Sequence, residues 1–135
     1  MLRRLAGDHA DDLAQDTFIA AWRAAASWRQ EGSYRSWLLR IAWRQFLSGR
    51  RHQRPTEPLE MAENVGFEAG GHRKTAIVQA MARLGERERM AALLCFAEGY
   101  SHGEAANIMD VPLGTLKSLV ARARRSLIDC LEDEQ

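Results

Sequence analysis

The sequence has no apolar run long enough to cross a membrane. Every candidate is interrupted by Arg, Glu or Gly well before the ~20 residues that a spanning helix needs. At the amino terminus, Gly7 and Asp8 follow Leu5 too soon for the apolar core of a signal peptide. We therefore expect a soluble cytoplasmic protein that is not exported and does not insert into a membrane.

Residues that carry metal or covalent chemistry are also scarce. The only two cysteines, Cys95 and Cys130, lie in apolar helical stretches without the close spacing of a zinc site or a redox pair. We expect two reduced, buried thiols. The four histidines form no HxxxH or HExxH pattern, and no Gly-rich phosphate loop or Ser/His/Asp set stands out. The sequence thus predicts no metal, no cofactor and no small-molecule substrate, and it argues against an enzyme.

The charge is small in total but unevenly distributed. The net charge is +1, yet residues 1–54 carry ten arginines against five acidic residues, while residues 55–99 and 100–135 are each slightly acidic. Patches of charge, not totals, determine where a protein meets nucleic acid. The first half of the chain is therefore a candidate nucleic-acid surface.

Apolar residues repeat with helical spacing almost throughout, which predicts an all-α fold. In the first half, a loop around Gly32 separates two predicted helices, and Pro55 ends the second. We predict a small helical module over residues 1–54. The apolar face of its first long helix follows the i, i+3, i+4, i+7 pattern through Ala14, Thr17, Phe18, Ala21, Trp22 and Ala25.

Residues 55–75 have the composition of a flexible linker, with two prolines, three glycines and few large apolar side chains.

A second module is predicted over residues 76–135. Within it, Gly99 is a candidate left-handed helix cap, and Ser101 with Glu104 forms a capping-box pattern. A short turn from Asp110 precedes a last helix with a regular apolar stripe, so a helix-turn-helix is expected. The stripe consists of Leu116, Val120, Ala123, Leu127 and Leu131.

The opposite face of this last helix has the residue types that contact DNA. Lys and Arg reach base edges and phosphates in a major groove, and short hydroxyl side chains near the helix start add hydrogen bonds. The alternative interpretation is a solvated face such as any amphipathic helix has. The candidate DNA contacts are Thr115, Lys117, Ser118, Ala121, Arg122 and Arg125.

A second candidate site lies in the first module, where aromatic residues stand beside arginines. Such a combination suits single-stranded DNA, since bases stack on rings while the backbone meets positive charge. A small tryptophan-rich core is the alternative, and periodicity alone favours it. The aromatic residues are Trp28, Tyr34, Trp37 and Trp43, and the neighbouring arginines are Arg35, Arg40 and Arg44.

Three stretches together resemble the extracytoplasmic-function (ECF) sigma factors of bacterial RNA polymerase. Residues 11–18 (DDLAQDTF), continuing into 21–23 (AWR), resemble the core-binding helix of that family. Residues 33–38 (SYRSWL) resemble its promoter-melting and minus-ten segment. Residues 87–125 are similar to its minus-thirty-five-binding domain, through EGYS, VPLGTLKS and ARARR. The resemblance covers nearly the whole chain outside the linker.

The resemblance implies a sigma factor whose partners are the RNA polymerase core, promoter DNA and an anti-sigma factor, with catalysis left to the polymerase. It implies a polymerase-binding surface at Asp12, Gln15, Asp16 and Phe18. It implies minus-ten contacts, with capture of a flipped base, at Trp28, Arg29, Ser33, Tyr34, Trp37, Arg40 and Arg44. Finally, it implies minus-thirty-five readout by the face of Lys117, Ser118 and Arg122.

The sequence departs from the family pattern at several positions. Residues 1–7 retain only the tail of the usual first helix. Arg44 stands where Asn is usual, Ser48 where Asp is common, and Leu119 where Arg is frequent, while Ala121 is smaller than usual. The promoter sequence therefore does not carry over from the family.

These departures leave two other functions open. One is a sigma-like decoy that occupies an anti-sigma factor without starting transcription, although such a decoy would not need the basic face of the last helix. The other is a stand-alone helix-turn-helix regulator, which would bind palindromic duplex DNA as a dimer. No extended heptad pattern supports such a dimer.

Overall fold

A computed structural model describes residues 1–28, 33–52 and 71–133 of the chain, and its regular structure in these ranges is helical. The all-α prediction is confirmed. The α-helices are α1 (Leu2–Ala6), α2 (Ala10–Ala24), α3 (Tyr34–His52), α4 (Gly71–Arg83), α5 (Glu86–Ala92), α6 (His102–Met109) and α7 (Leu113–Asp133). Within the described ranges, no helix is both long and apolar enough to cross a membrane.

Helix α2 packs on α1 and α3 through a narrow stripe of residues four apart, Leu13, Thr17 and Ala21. The buried hydroxyl of Thr17 donates a 2.7 Å hydrogen bond to the Leu13 carbonyl, so no polar group is left unsatisfied there. The sequence prediction was wrong for three members of the apolar face. Phe18 is 65% exposed, Trp22 is 85% exposed, and Ala25 is exposed as well, because the neighbouring helices cover only the side of α2 that carries Leu13, Thr17 and Ala21.

Helix α3 turns a broad apolar side towards the rest of the molecule. Ile41, Ala42, Trp43 and Phe46 are buried, and the rings of Trp43 and Phe46 stack with centroids 5.7 Å apart. An aromatic pair of this kind contributes to packing beyond its buried area. It anchors α3 in the main hydrophobic core.

The turns of the second module follow the local sequence signals. Gly99 has φ 77°, the left-handed conformation expected of a cap. It follows a π-helical turn over Leu93–Ala97 that extends α5. Ser101 and Glu104 form the predicted reciprocal capping box at the start of α6. Asp110 adopts φ 56° at the end of α6, so the chain reverses within a few residues before α7. The predicted cap, box and turn are confirmed.

Helix α7 buries Leu116, Leu119, Val120 and Ala123, while Leu127 and Leu131 are only half-buried. Leu119 is 5% exposed and therefore belongs to the core of the module. Leu119 is thus a packing residue at the position where the resemblance leads us to expect an arginine.

Both halves of the chain contribute to one continuous core. Leu5, Trp43 and Phe46 from the first half belong to the same buried cluster as Met90 and Leu116 from the second. Helix α3 lies against α6, and α1 contacts α4 and α5. The helix-turn-helix is therefore held against the aromatic and basic helix α3.

The predicted linker, residues 55–75, lies outside the described residues as far as residue 70, and α4 begins at Gly71. Cys95 and Cys130 were predicted to be buried, but both are only half-buried, and both are free thiols. Cys95 packs against the margin of the main core. Burial still raises the pKa of the Cys95 thiol.

Candidate nucleic-acid interface

The outer face of α7 presents all six predicted duplex contacts to solvent. Burial of Leu116, Leu119, Val120 and Ala123 on α5 and α6 fixes the rotation of α7 about its axis. The polar side is thereby turned outward along about three turns of helix. Its exposed members are Thr115, Lys117, Ser118, Ala121, Arg122 and Arg125.

This basic face is nearly free of internal ion pairs among the described residues. The one recorded contact is between Arg122 Nη1 and Glu88 Oε1 at 4.0 Å, the outer limit for a salt bridge. An exposed pair at that distance contributes little, so Arg122 is available to an external anion at little cost. The face has the charge, shape and exposure of a helix that enters a DNA major groove.

The aromatic cluster of the first module contains three rings and not four. Ring centroids lie 5.3 Å apart for Trp28 and Tyr34, 5.8 Å for Trp28 and Trp37, and 5.7 Å for Tyr34 and Trp37. Trp43 was predicted to belong to this group but is buried with Phe46, because it lies on the core side of α3. Tyr34 is more than half exposed and gives the cluster an accessible ring edge.

Two polar groups at this cluster differ in their partners. The Ser33 hydroxyl accepts a 3.0 Å hydrogen bond from the backbone N–H of Ser36 and lies 2.7 Å from the Ser36 hydroxyl, so it closes the first turn of α3. The buried Nε1 of Trp28 finds no acceptor within the described ranges. Arg29, the remaining member of this predicted site, lies outside the described residues.

The arginines along α3 are divided between solvent and the second module. Arg44 is exposed. Arg35 forms an ion pair with Glu98. Arg40 lies 3.6 Å from a carboxylate oxygen of Asp110 and donates a 3.4 Å hydrogen bond to the Asn107 side chain. Two of the three arginines beside the aromatic rings therefore contact the second module, Arg35 just after the π-helical turn and Arg40 at the end of α6.

The outer face of α2 carries the predicted polymerase contacts, Asp12, Gln15, Asp16 and Phe18, and all four are exposed. The structure adds two residues that the sequence reasoning missed, Ile19 and Trp22. Together with Asp12 and Gln15 they form one line along the helix at spacings of three and four. A signal was present in the sequence, because this line lies on the opposite side of α2 from the Leu13, Thr17 and Ala21 stripe. The helical spacing of apolar residues alone did not show which side of α2 the neighbouring helices would cover.

In the described part of the chain, no three His, Cys, Asp or Glu side chains group closely enough to hold a metal ion. The backbone N–H of Ser101, and then its hydroxyl, hold the pKa of Glu104 below its usual value. This shift belongs to a helix cap and not to acid–base chemistry.

Comparison with known proteins gives one family match in each half of the chain. The family model for sigma-70 region 2 matches residues 1–56, and that for sigma-70 region 4 matches residues 74–127. The ECF RNA polymerase sigma-E factor of Escherichia coli (strain K12) is 31% identical over 134 residues, covering 86% of this chain and 70% of that protein. The ECF sigma factor SigM of Mycobacterium tuberculosis is 36% identical over 123 residues, covering 89% of this chain and 63% of that protein.

Solved structures show the same fold. The sigma factor RpoE of Bartonella quintana, crystallised with the anti-sigma factor NepR, superimposes with a TM-score of 0.78 at 26% identity, over 99% of this chain and 89% of that one. CnrH, solved with the cytosolic domain of CnrY, superimposes with a TM-score of 0.69 at 24% identity, over 99% and 79% respectively. The first superposition spans both modules. The chain belongs to the ECF sigma factors, which direct bacterial RNA polymerase to promoters.

Proposed function

We propose that this chain recognises promoters through three surfaces. The basic face of α7 reads the minus-thirty-five element, the aromatic and basic start of α3 holds the minus-ten strand, and the outer face of α2 binds polymerase. The observation that carries the proposal is the exposure of Lys117, Ser118 and Arg122 on α7, opposite a fully packed apolar stripe.

For duplex DNA, Lys117 and Arg122 supply the charged donors, while Thr115 and Ser118 supply short hydroxyls near the start of α7. Leu119 makes no contact with DNA, because it lies in the core of the module. Specificity then depends on fewer long side chains than in relatives with an arginine at that position.

For the melted strand, the cluster of Trp28, Tyr34 and Trp37 offers rings on which an unstacked base can lie, and Arg40 and Arg44 meet the backbone. Ser33 acts by closing the first turn of α3. Arg29 adds positive charge a few residues earlier in the sequence.

For polymerase, the α2 surface consists of Asp12, Gln15, Asp16 and Phe18, extended by Ile19 and Trp22. An exposed aromatic beside carboxylates is typical of a protein interface, where the ring supplies buried area and the charges fix orientation.

We place the protein in the cytoplasm, without enzymatic activity or a cofactor of its own. An anti-sigma factor is a further partner, as NepR is for the B. quintana relative.

The proposal is tested by asking whether promoter melting depends on polymerase. The labelled chain is mixed with sigma-free core enzyme and promoter fragments, and permanganate reactivity of unpaired thymines reports melting. Reactive thymines that require both the chain and the core enzyme support the proposal. Tight duplex binding by the chain alone, without melting when core is added, would instead indicate a stand-alone regulator.

A further inference from the structure

Glu88 places a carboxylate beside the DNA-facing side of α7. Its Oε1 lies 4.0 Å from Nη1 of Arg122. The two side chains differ in exposure, because that of Arg122 is 61% exposed and that of Glu88 is only 24% exposed. The carboxylate is therefore the sheltered member of the pair, and the guanidinium is the member that can turn towards solvent or DNA.

The start of α5 holds the Glu88 side chain in place. Glu88 lies in the first turn of α5, where the positive end of the helix dipole favours a carboxylate. Its Cδ lies 3.9 Å from the point where a Cβ on Gly85, the N-cap residue, would stand, so the side chain folds back over the helix end. Helix α5 is itself packed on α7. The negative charge thus has a fixed position relative to α7.

Arg122 lies at the margin of the DNA-facing side of α7. Leu119, three residues before it, is buried, and Ser126, four residues after it, is half-buried. Ser118, four residues before it, and Arg125, three residues after it, are both exposed. Residues three and four apart are neighbours on a helix surface, so the Arg122 side chain stands between the packed side and the exposed side. It can therefore reach both the carboxylate on α5 and a DNA groove.

We infer that Glu88 is a positioning residue that makes Arg122 a reader of bases in preference to phosphates, which rests on the proposed role of α7 in reading the minus-thirty-five element. The planar guanidinium has five N–H donors arranged as a fork. One edge can face the Glu88 carboxylate while another donates to N7 and O6 of a guanine, the bidentate pattern of arginine in a major groove. The base that Arg122 selects is therefore guanine.

Binding of Arg122 to a phosphate has a different electrostatic consequence. When Arg122 turns to the DNA backbone it leaves Glu88, and the unpaired carboxylate then faces a negatively charged strand. Like charges repel, and salt screens this repulsion only partly at distances shorter than the Debye length. Binding through a phosphate is thus penalised, whereas binding through a base retains the pair. Because specificity is a difference between two affinities, the carboxylate raises specificity by weakening the competing mode.

The test compares Glu88→Gln with Glu132→Gln, which makes the same chemical change at an exposed position of α7. Position 132 is ten residues from Arg122, or about 15 Å along the helix, which exceeds the Debye length at physiological salt. A pool of duplexes with 20 random base pairs is selected on the wild-type chain and sequenced. Fluorescence anisotropy then measures the affinities for the selected duplex and for the unselected pool, and their ratio is the specificity ratio.

We expect Glu88→Gln to lower the specificity ratio about threefold relative to Glu132→Gln, a size that one exposed pair allows. The loss should come from tighter binding to the unselected pool, with a steeper plot of log affinity against log salt concentration. Selection on the Glu88→Gln variant should also give weaker enrichment of guanine at one position of the site. A specificity ratio equal to that of Glu132→Gln would overturn the inference.

A double-mutant cycle with Arg122→Ala separates positioning from a purely structural role. Without the guanidinium there is nothing to position, so Glu88→Gln should change the affinities for selected and unselected duplexes by the same factor and leave their ratio unchanged. Circular dichroism confirms that each variant is folded. An equal fall in the ratio in both backgrounds would overturn the inference, because Glu88 would then act without Arg122.

The same measurements distinguish this inference from the proposed function. A wild-type chain that selects no sequence from the pool would remove the proposed role of α7 together with the role of Glu88. Selection of a sequence that depends on Lys117 and Arg122, with a specificity ratio insensitive to Glu88→Gln, would remove the role of Glu88 alone.

Discussion

Arg89 Nη1 donates a 2.9 Å hydrogen bond to the backbone carbonyl of Leu5, 84 residues earlier in the chain. The same guanidinium donates to the carbonyls of Met81 and Leu84 at 3.2 and 2.9 Å. Arg89 is 2% exposed, yet its planar, branched donor group satisfies three carbonyls at once. One side chain thus joins the end of α1 to the end of α4, and with them the two halves of the molecule.

We predict that Arg89→Ala destabilises the protein by about 3 kcal/mol, because buried carbonyls lose their donors. Arg89→Lys should give a smaller loss, since one ammonium cannot reach all three acceptors with the same geometry. Urea denaturation measures both. The exposed neighbour Arg87→Ala is the control and should change stability by less than about 0.5 kcal/mol. Equal urea midpoints for Arg89→Ala and Arg87→Ala would contradict this role.

The capping box of α6 predicts a dependence on pH. The Ser101 N–H and hydroxyl lower the pKa of Glu104 in the folded state. Because the folded pKa lies below the unfolded one, this stabilisation is complete above the unfolded pKa and is lost as pH falls through the folded pKa. NMR titration should show the pKa of Glu104 moving up towards its ordinary value in Ser101→Ala. At neutral pH, loss of the cap should also reduce stability by about 1 kcal/mol. An unchanged titration would show that the Ser101 hydroxyl does not lower the pKa of Glu104 in solution.

Substitutions on the outer face of α7 should separate DNA binding from stability. Lys117→Ala and Arg122→Ala are each expected to weaken duplex promoter binding about tenfold while leaving the urea midpoint unchanged. Each lost phosphate contact should also make the plot of log affinity against log salt concentration less steep, by about one in its slope. Arg83→Ala removes an exposed arginine from α4 and serves as the control. Equal losses in all three variants would indicate nonspecific charge binding.

Trp22 should contribute to the affinity for core polymerase and not to the stability of the fold. It is 85% exposed, so Trp22→Ala should change the free energy of unfolding by less than about 0.5 kcal/mol. If the α2 surface binds core polymerase, the same variant should lose about tenfold or more in affinity, as exposed aromatics often dominate interfaces. Ile77→Ala, an exposed apolar residue on α4, is the comparison in a pull-down titration with core enzyme. Core binding equal to wild type would remove Trp22 from the interface.

Features determined by a few neighbouring residues were predictable from the sequence. The capping box at Ser101, the left-handed Gly99 and the buried stripe through Leu116, Val120 and Ala123 each follow from local chemistry or helical spacing. The family resemblance was equally accessible, because its motifs occur in order along the chain.

Features that depend on packing between distant segments were not predictable. Helical spacing identified an apolar arc on α2, but it could not show that neighbours cover Leu13 and Thr17 and leave Trp22 outside. Nothing in the sequence around Trp43 distinguishes it from the tryptophans of the aromatic cluster, although it is buried in the core. The pairs of Arg35 with Glu98, of Arg40 with Asp110, and of Arg89 with Leu5 join segments whose meeting only the assembled fold reveals.

Run-off transcription tests the central claim most directly. The chain is combined with sigma-free core polymerase on a library of promoter fragments, beside Lys117→Ala/Arg122→Ala and Arg83→Ala. Our account predicts transcripts that start at fixed distances from a shared pair of elements, lost in the double variant and retained with Arg83→Ala. No specific transcript from this chain, where another ECF sigma factor directs initiation with the same core preparation, would contradict it.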